Sequence, residues 1–521
     1  MNHTGKFTAS TVSSLIFAFG SFSGLAQPAG GLDLTFGTDG IVIHDVTGNA
    51  EGAVDVVLQS DGKILVAAKS TNGILTEFSL LRYNSDGSVD NTFDTDGYVD
   101  VSMTNFDYPN AIAVQSDGKI LIVGSTELSP FSGDMSLAVV RFNTDGSLDN
   151  AFDGDGRLII DDPTYSLFGH DIVLQTDGKI VVAASGTTSS EGDLWTFRFN
   201  TDGSYDNTFD ADGVSVVNWG PNSENAGSLC LQSDGKIVVV GTNVTDFTTS
   251  FDVIVQRLNT DGSLDNTFDS DGMVQTDVNL DADYGTAVMM QPDGKILVGA
   301  PVTISTDLDA GVLRYNTDGS LDITFDTDGI AVSDLFLASQ GVYDIDLQAD
   351  GKIVVAGRHA DLGTGDDFML SRFNADGSTD ITFNTDGIAT TDITTASEDD
   401  VINAICIQPD GKILGVGYTR DAGSVERIGL ARYLDTAIQV AGFEDESAFV
   451  GLTLYPNPSL GTVYFLVPGA NVQYAIFDQT GRKVSEGKAE ESWTLNFNVA
   501  GLYSIVCTDG ENIWRNPFVV R

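Results

Sequence analysis

Apolar and polar positions along the chain fall into a recurring order. A short alternating run is followed by a polar hexamer, then a continuously apolar run, a variable polar stretch and a second apolar run. Residues 107–143 illustrate it: "NAIAVQ", with Ile112 and Val114 on one face, then S-D-G-K, "ILIVGS", a loop, and "LAVVRFN". Alternation predicts a strand with one buried face, and an unbroken apolar run predicts a strand buried on both faces. The S-D-G-K string between them predicts a tight hairpin whose glycine takes positive φ. With the strand-like "YVDVS" ahead of them, each unit holds four strands, and no unit carries a helical period with caps.

The unit repeats seven times. Its hairpin lysines stand at 63, 119, 179, 236, 295, 352 and 412, so the period is just under sixty residues. Four-stranded units at that period predict the blades of a β-propeller. The chain ends support this. Each fourth strand carries an arginine (82, 141, 198, 257, 314, 372, 432), and six are followed by a link containing D-x-x-F. After Arg432 the link is missing, while "GGLDLTFGTDG" near the start supplies Asp33 and Phe36 with no arginine strand before it. A ring resolves the mismatch: the N-terminal segment docks on the last blade and Arg432 pairs with Asp33, as Arg82 pairs with Asp90, removing the open edges.

The half-motifs "QSDGKILVAA" and "LLRYNSDGSVDNTFDTDG" at 59–97, with their six relatives, resemble the delta-60 repeat of exported bacterial proteins over residues 32–434. That resemblance implies a propeller-like fold and no established activity. After Tyr433 the repeat stops and an acidic joint follows. Y-P-N-P at 455–458, D-Q-T-G-R-K at 478–483 and A-G-L-Y at 500–503 resemble the C-terminal sorting domain of the type 9 secretion system of Bacteroidetes. The resemblance implies a small β-sandwich that engages the secretion machinery and directs the chain to the outer surface or beyond. The expected organisation is a signal peptide (1–26), an all-β seven-bladed propeller (27–436), a linker (437–448) and a sorting sandwich (449–521).

Composition narrows the function further. Seventy-five Asp and Glu against 25 Lys and Arg give a net charge of −50, which argues against nucleic acid. The first 26 residues read as a secretory signal cleaved before Gln27, and no later run is long and apolar enough to span a membrane. Cys230, Cys406 and Cys507 lie in strand-like runs and read as buried thiols rather than a disulfide framework.

Candidate chemistry is sparse. His44, His170 and His359 fall at different places on different blades, and no nucleophile, zinc or phosphate-loop motif is present. The D-x-D-G runs, Asp94/Asp96, Asp153/Asp155, Asp210/Asp212, Asp269/Asp271 and Asp326/Asp328, resemble the start of calcium loops but lack the closing bidentate acid. They serve equally well as turn formers, so calcium stays open as a cofactor. Asp346 breaks the pattern of a strand position that is otherwise Val, Ala, Cys or Met. The hairpin and link recur on one face of the ring. The variable loops on the other carry Tyr108, Tyr165, Trp219 and Tyr284, which suit stacking on a glycan or a protein contact, or packing over the blade ends. The expected function is a surface binding or adhesion module. The alternatives are an extracellular enzyme acting on polysaccharide or peptide, and a purely structural surface protein.

Overall fold

The computed structural model describes residues 28–436, apart from short loop segments (47, 189–190, 221–222, 247–249, 280–281, 305–306, 334–338, 362–364, 395–397 and 422), and the strands between 453 and 520. The expected signal peptide and the linker lie outside the described residues, as do parts of the three sorting motifs. Residues 28–436 form one compact unit and the C-terminal strands belong to another.

Each blade is a four-stranded antiparallel sheet. Blade 1 runs from its inner strand Glu51–Leu58 through Ile64–Thr71 and Thr76–Tyr83 to an outer strand, Tyr98–Val101. The sheet boundary therefore falls inside the sequence unit: the strand that opens each repeat completes the preceding blade. Blade 7 follows the same rule across the chain ends. Its strands Asp400–Ile407, Ile413–Arg420 and Glu426–Tyr433 are completed by Ile41–His44, with Ile41 opposite Ala431 and His44 opposite Ile428. Blades 3 and 4 are additionally joined by one parallel pairing, Gly192 with Ser223. Between blades the apolar faces pack into separate clusters, such as Leu65, Ala67, Phe78, Phe93, Ile120 and Phe142.

The hairpin is built as its composition requires. In blade 1 the Gln59 N–H donates to the Lys63 carbonyl at 2.8 Å, the Gly62 N–H donates to the Gln59 carbonyl at 2.9 Å, and Gly62 sits at φ +84°. Asp61 Oδ1 accepts the Lys63 N–H. A β-carbon is disfavoured in that region, which explains glycine at this place in all seven copies.

The lysine has a second role, and with the arginine it forms the repeat's main polar joint. Arg82 Nε donates to Asp90 Oδ2 at 2.7 Å, Lys63 Nζ shares the same oxygen, and Thr92 N–H and Oγ1 donate to Asp90 Oδ1. The guanidinium lies 4.5 Å over the Phe93 ring. Equivalent sets recur in every blade, ending with Arg432, Lys412, Asp33 and Phe36. A buried ion pair repays its desolvation only when the remaining valences are filled, and here both carboxylate oxygens and the guanidinium face are occupied.

Six of the seven inner strands are kinked by a register shift, for example between Ala53 and Asp55, and the blade 5 strand Ala287–Met290 is not. Beside three of these shifts an aspartate reaches the next blade. Asp55 Oδ2 accepts the Ile112 N–H at 2.7 Å, Asp171 Oδ2 accepts the Leu229 N–H at 2.9 Å, and Asp344 Oδ2 accepts the Ile405 N–H at 2.8 Å. Asp346 does the same for Ile407 at 2.7 Å, so the acid that breaks the pattern in the sequence ties blade 6 to blade 7.

In the C-terminal unit, Thr453–Tyr455, Thr462–Leu466 and Ser492–Asn496 form one sheet. Lys483–Ala489, Val472–Asp478, Gly501–Thr508 and Ile513–Val520 form the other. Val463, Phe465, Ile476, Ile505 and Cys507 are buried.

Candidate functional site

Between residues 28 and 436 there are nineteen lysines and arginines, and fourteen are the repeat's own hairpin lysines and strand arginines. The other five are Lys69, Arg157, Arg358, Arg420 and Arg427. Four of these stand towards the variable-loop ends of strands in blades 6, 7 and 1. Because every other cation except Arg157 follows the seven-fold pattern, this is where the surface departs from it most.

Three of the four, Arg358, Arg420 and Lys69, are joined in one chain of contacts. Arg358 pairs with Asp366, whose N–H donates to Asp399 Oδ1 at 3.3 Å. Asp399 pairs with Arg420, Arg420 Nη2 with Glu426 Oε1 at 3.1 Å, and Glu426 Oε2 with Lys69 Nζ at 3.7 Å. Arg427 reaches Asp45, Asp421 and the Asn49 carbonyl. The chain thus crosses from blade 6 to blade 1 over the junction of the two chain ends. Arg358 keeps 40 % of its side chain exposed.

Two tyrosines border it. Arg420 lies 5.4 Å over the Tyr418 ring, and Tyr343 is 39 % exposed. Room for them comes from glycine. A β-carbon on Gly341 would stand 3.1 Å from both Arg358 Cγ and Tyr343 Oη, and one on Gly52 would stand 3.3 Å from Tyr418 Cβ. At the same inner-strand station blades 2 to 5 carry Tyr108, Phe168, Asn225 and Tyr284. Burial raises the Tyr418 phenol, with Arg420 pulling it back and Glu426 and Asp399 adding to the rise.

Next to this chain Asp367, Asp392 and Asp400 bring carboxylate oxygens within 4.8 Å of one another. Asp400 is buried, and burial raises its carboxyl, against the pull of bonds from Thr419 and the Ile393 N–H. The station of Asp400 recurs as Glu51, Asp107 and Asp283, each accepting a loop N–H (Val46 at 2.7 Å, Met103 at 2.8 Å, Val278 at 2.6 Å). Asp252 and Asp277 hold the stations of Asp367 and Asp392 beside Asp283 and add to the rise of its carboxyl, yet among the described residues only Asp367, Asp392 and Asp400 come this close together.

The aromatic candidates are spread one per blade. Trp219 donates Nε1 to Gln256 Oε1 at 3.3 Å and packs on the blade 4 core, Tyr165 lies 5.3 Å from Trp195, and Tyr284 stacks 5.1 Å from Phe251. Tyr108 is 40 % exposed. The first three cover blade ends.

The D-x-D-G aspartates form turns. Asp94, Asp153, Asp210, Asp269 and Asp326 take positive φ, between 40° and 46°. Asp96, Asp155, Asp212, Asp271 and Asp328 accept the N–H two residues on, as Asp155 does from Arg157 at 2.9 Å. No three of these carboxylates converge as the blade 6 set does, among the described residues.

A propeller of seven such blades, carrying a sorting tail, defines a class of exported surface proteins. A family model described as "Domain of unknown function (DUF5122) beta-propeller" matches residues 59–93, 115–152, 175–209, 232–268, 291–325, 348–383 and 408–434, and one described as "Secretion system C-terminal sorting domain" matches 453–521. The chain carries a DUF5122 β-propeller domain and a type 9 sorting domain, and the sorting domain directs its export to the outer surface or beyond. No helix among the described residues is long and apolar enough to cross a membrane. No curated protein matches the chain. Among solved structures it is similar to PorZ, a surface component of the type-IX secretion system of Porphyromonas gingivalis (13% identity, 89% of this chain, 58% of that one, TM-score 0.37). It is also similar to virginiamycin B lyase from Staphylococcus aureus (12%, 76% and 99%, TM-score 0.42) and to polysaccharide lyase Uly1 (11%, 73% and 90%, TM-score 0.44).

Proposed function

We propose that this exported propeller is a surface glycan-binding module whose site is the variable face of blades 6, 7 and 1. The observation that carries the reading is the ion-pair chain from Arg358 to Lys69 beside Tyr343. Sugar hydroxyls are recognised by planar donors and acceptors already held in place, and a tyrosine face takes the apolar side of the ring. Arg358, Asp366, Asp399 and Arg420 hold one another in place, so little ordering cost falls on binding. The test is affinity electrophoresis of the full chain against neutral and uronate polysaccharides. Tyr343→Ala and Arg358→Ala are expected to weaken retardation at least about tenfold, the loss of one strong contact, with unchanged melting. Wild-type retardation in both variants would exclude this face.

A second reading makes the same face catalytic, an extracellular polysaccharide-acting enzyme. It is favoured by the Asp367, Asp392 and Asp400 set, where a buried carboxyl with a raised pKa stands beside an exposed one, the pairing that acid–base chemistry needs. New reducing ends released by the wild type and not by Asp392→Asn would favour it. Binding without cleavage favours the first reading.

A further inference from the structure

On the repeat-invariant face each strand arginine also reaches the next blade. Arg82 Nη1 donates to the Thr144 carbonyl at 3.0 Å, Arg257 Nη1 to Thr317 at 2.5 Å, Arg314 Nη1 to Ala375 at 2.7 Å and Arg432 Nη1 to Ser85 at 2.5 Å. Arg141 and Arg198 contact the carbonyls of Thr201 and Thr260 in the same way. The residue that lends its carbonyl stands three places after the next blade's own arginine, and in these six notches it is Ser, Thr or Ala.

The seventh notch differs. For Arg372 that residue is Asp435, whose carbonyl accepts from Nη1 at 2.8 Å. Its carboxylate enters the notch as well: Oδ1 accepts from Arg372 Nη1 at 2.9 Å and from Gln348 Nε2 at 2.6 Å. The protein therefore holds an internal example of what the notch can bind. A planar carboxylate sits between a guanidinium that is 1 % exposed and a glutamine amide.

Between blades 4 and 5 the same stations are Arg257, Gln232 and Thr317, and they line a cavity of about 630 Å³ with Lys236, Met290 and Gln291. That volume lies in the range of small-molecule sites. Gln291 Oε1 is buried there with no partner. The charge background matches the occupied notch. Lys236 and Arg257 share Asp265, with Asp234 nearby, as Lys352 and Arg372 share Asp380, with Asp350 nearby. What blade 4 lacks is the carboxylate.

We propose that the notch between blades 4 and 5 binds the carboxylate of an external small molecule, held by Arg257 Nη1 and the Gln232 amide as Asp435 is held by Arg372 and Gln348. A uronic acid and an acidic amino acid carry the same group, so the probes separate them. Full-length protein would be titrated calorimetrically with glucuronate, with N-acetylglutamate and with the methyl ester of glucuronate. At least one acid is expected to bind and the ester not. Thr317→Asp supplies the missing internal carboxylate, as Asp435 does, and is expected to remove one site with no loss of melting temperature. Gln232→Leu touches none of the repeat's ion pairs and is expected to weaken binding about tenfold. Asp435→Ala empties the seventh notch and is expected to add one site. Glucuronate binding alone assigns a uronate, N-acetylglutamate alone an acidic amino acid, and both assign the carboxylate itself. Failure of both acids to bind, or full stoichiometry in Thr317→Asp, would overturn the proposal. If Thr317→Asp does not fold, unchanged affinity in Gln232→Leu would overturn it.

Discussion

Arg432 and Asp33 stand 399 positions apart in the chain and 2.8 Å apart in the fold. Lys412 shares the same carboxylate oxygen at 3.2 Å, and Phe36 underlies the guanidinium at 4.6 Å. This is the repeat's common joint, assembled from the two ends of the propeller. Removing one partner of a buried set leaves the others unpaired, which costs more than the pair itself contributes. Asp33→Ala should therefore destabilise the propeller by about 3 kcal/mol. Asp206→Ala, the same change inside the chain, should cost about as much at equilibrium, whereas Asp33→Ala should unfold faster because no peptide link holds that junction together. Denaturant unfolding and its rates test both points. Equal unfolding rates would mean that the junction is not where opening starts.

That pairing is readable from the sequence because the arginine and aspartate recur eight positions apart, and the one orphan of each lies at opposite ends. The lysine's share is not. Lys63 precedes Asp90 by 27 positions, and a lysine in an exposed hairpin needs no partner to explain it. The candidate site is hidden for another reason. Gly341, Arg358 and Tyr418 occupy ordinary strand positions and stand out only when the seven blades are superposed. Trp219, Tyr165 and Tyr284 attract attention in loops, yet rings of that size also seal the ends of a sheet.

Two groups of acids set opposite pH limits. Burial lifts Asp55 to about 7 and raises Asp171, Asp344 and Asp346. Such groups favour the folded state most when protonated, so their contribution is full below the unfolded carboxyl range, near 4, and is lost as pH rises towards 7. Asp33, held at about 2 by Thr35, Lys412 and Arg432 against burial, acts the other way, as do Asp90 and Asp265. Their contribution is full above about 4 and is lost as pH falls towards 2. Thermal stability should then be highest near pH 4 to 5 and decline towards pH 8 at constant ionic strength. Asp55→Asn keeps an acceptor for the Ile112 N–H without the charge, so it should flatten the decline. A melting curve series with its maximum at pH 8 would refute this assignment.

Gly341 offers a test of the candidate site that leaves its polar groups in place. A methyl there would meet Arg358 Cγ and Tyr343 Oη at 3.1 Å, closer than carbon normally tolerates, and neither neighbour is rigid backbone. Tyr343 is 39 % exposed, so it can swing outward. Gly341→Ala should accordingly keep the fold, with melting within a few degrees of wild type, while displacing the tyrosine from the ion-pair chain. If Tyr343 and Arg358 grip one ligand together, affinity for the retarding polysaccharide should fall about tenfold, as in Tyr343→Ala. The double variant Gly341→Ala/Tyr343→Ala should then bind no worse than Tyr343→Ala alone, since both changes remove the same contact. Additive losses would show that Gly341 acts through Arg358 instead, and would move the centre of the site from Tyr343 to Arg358.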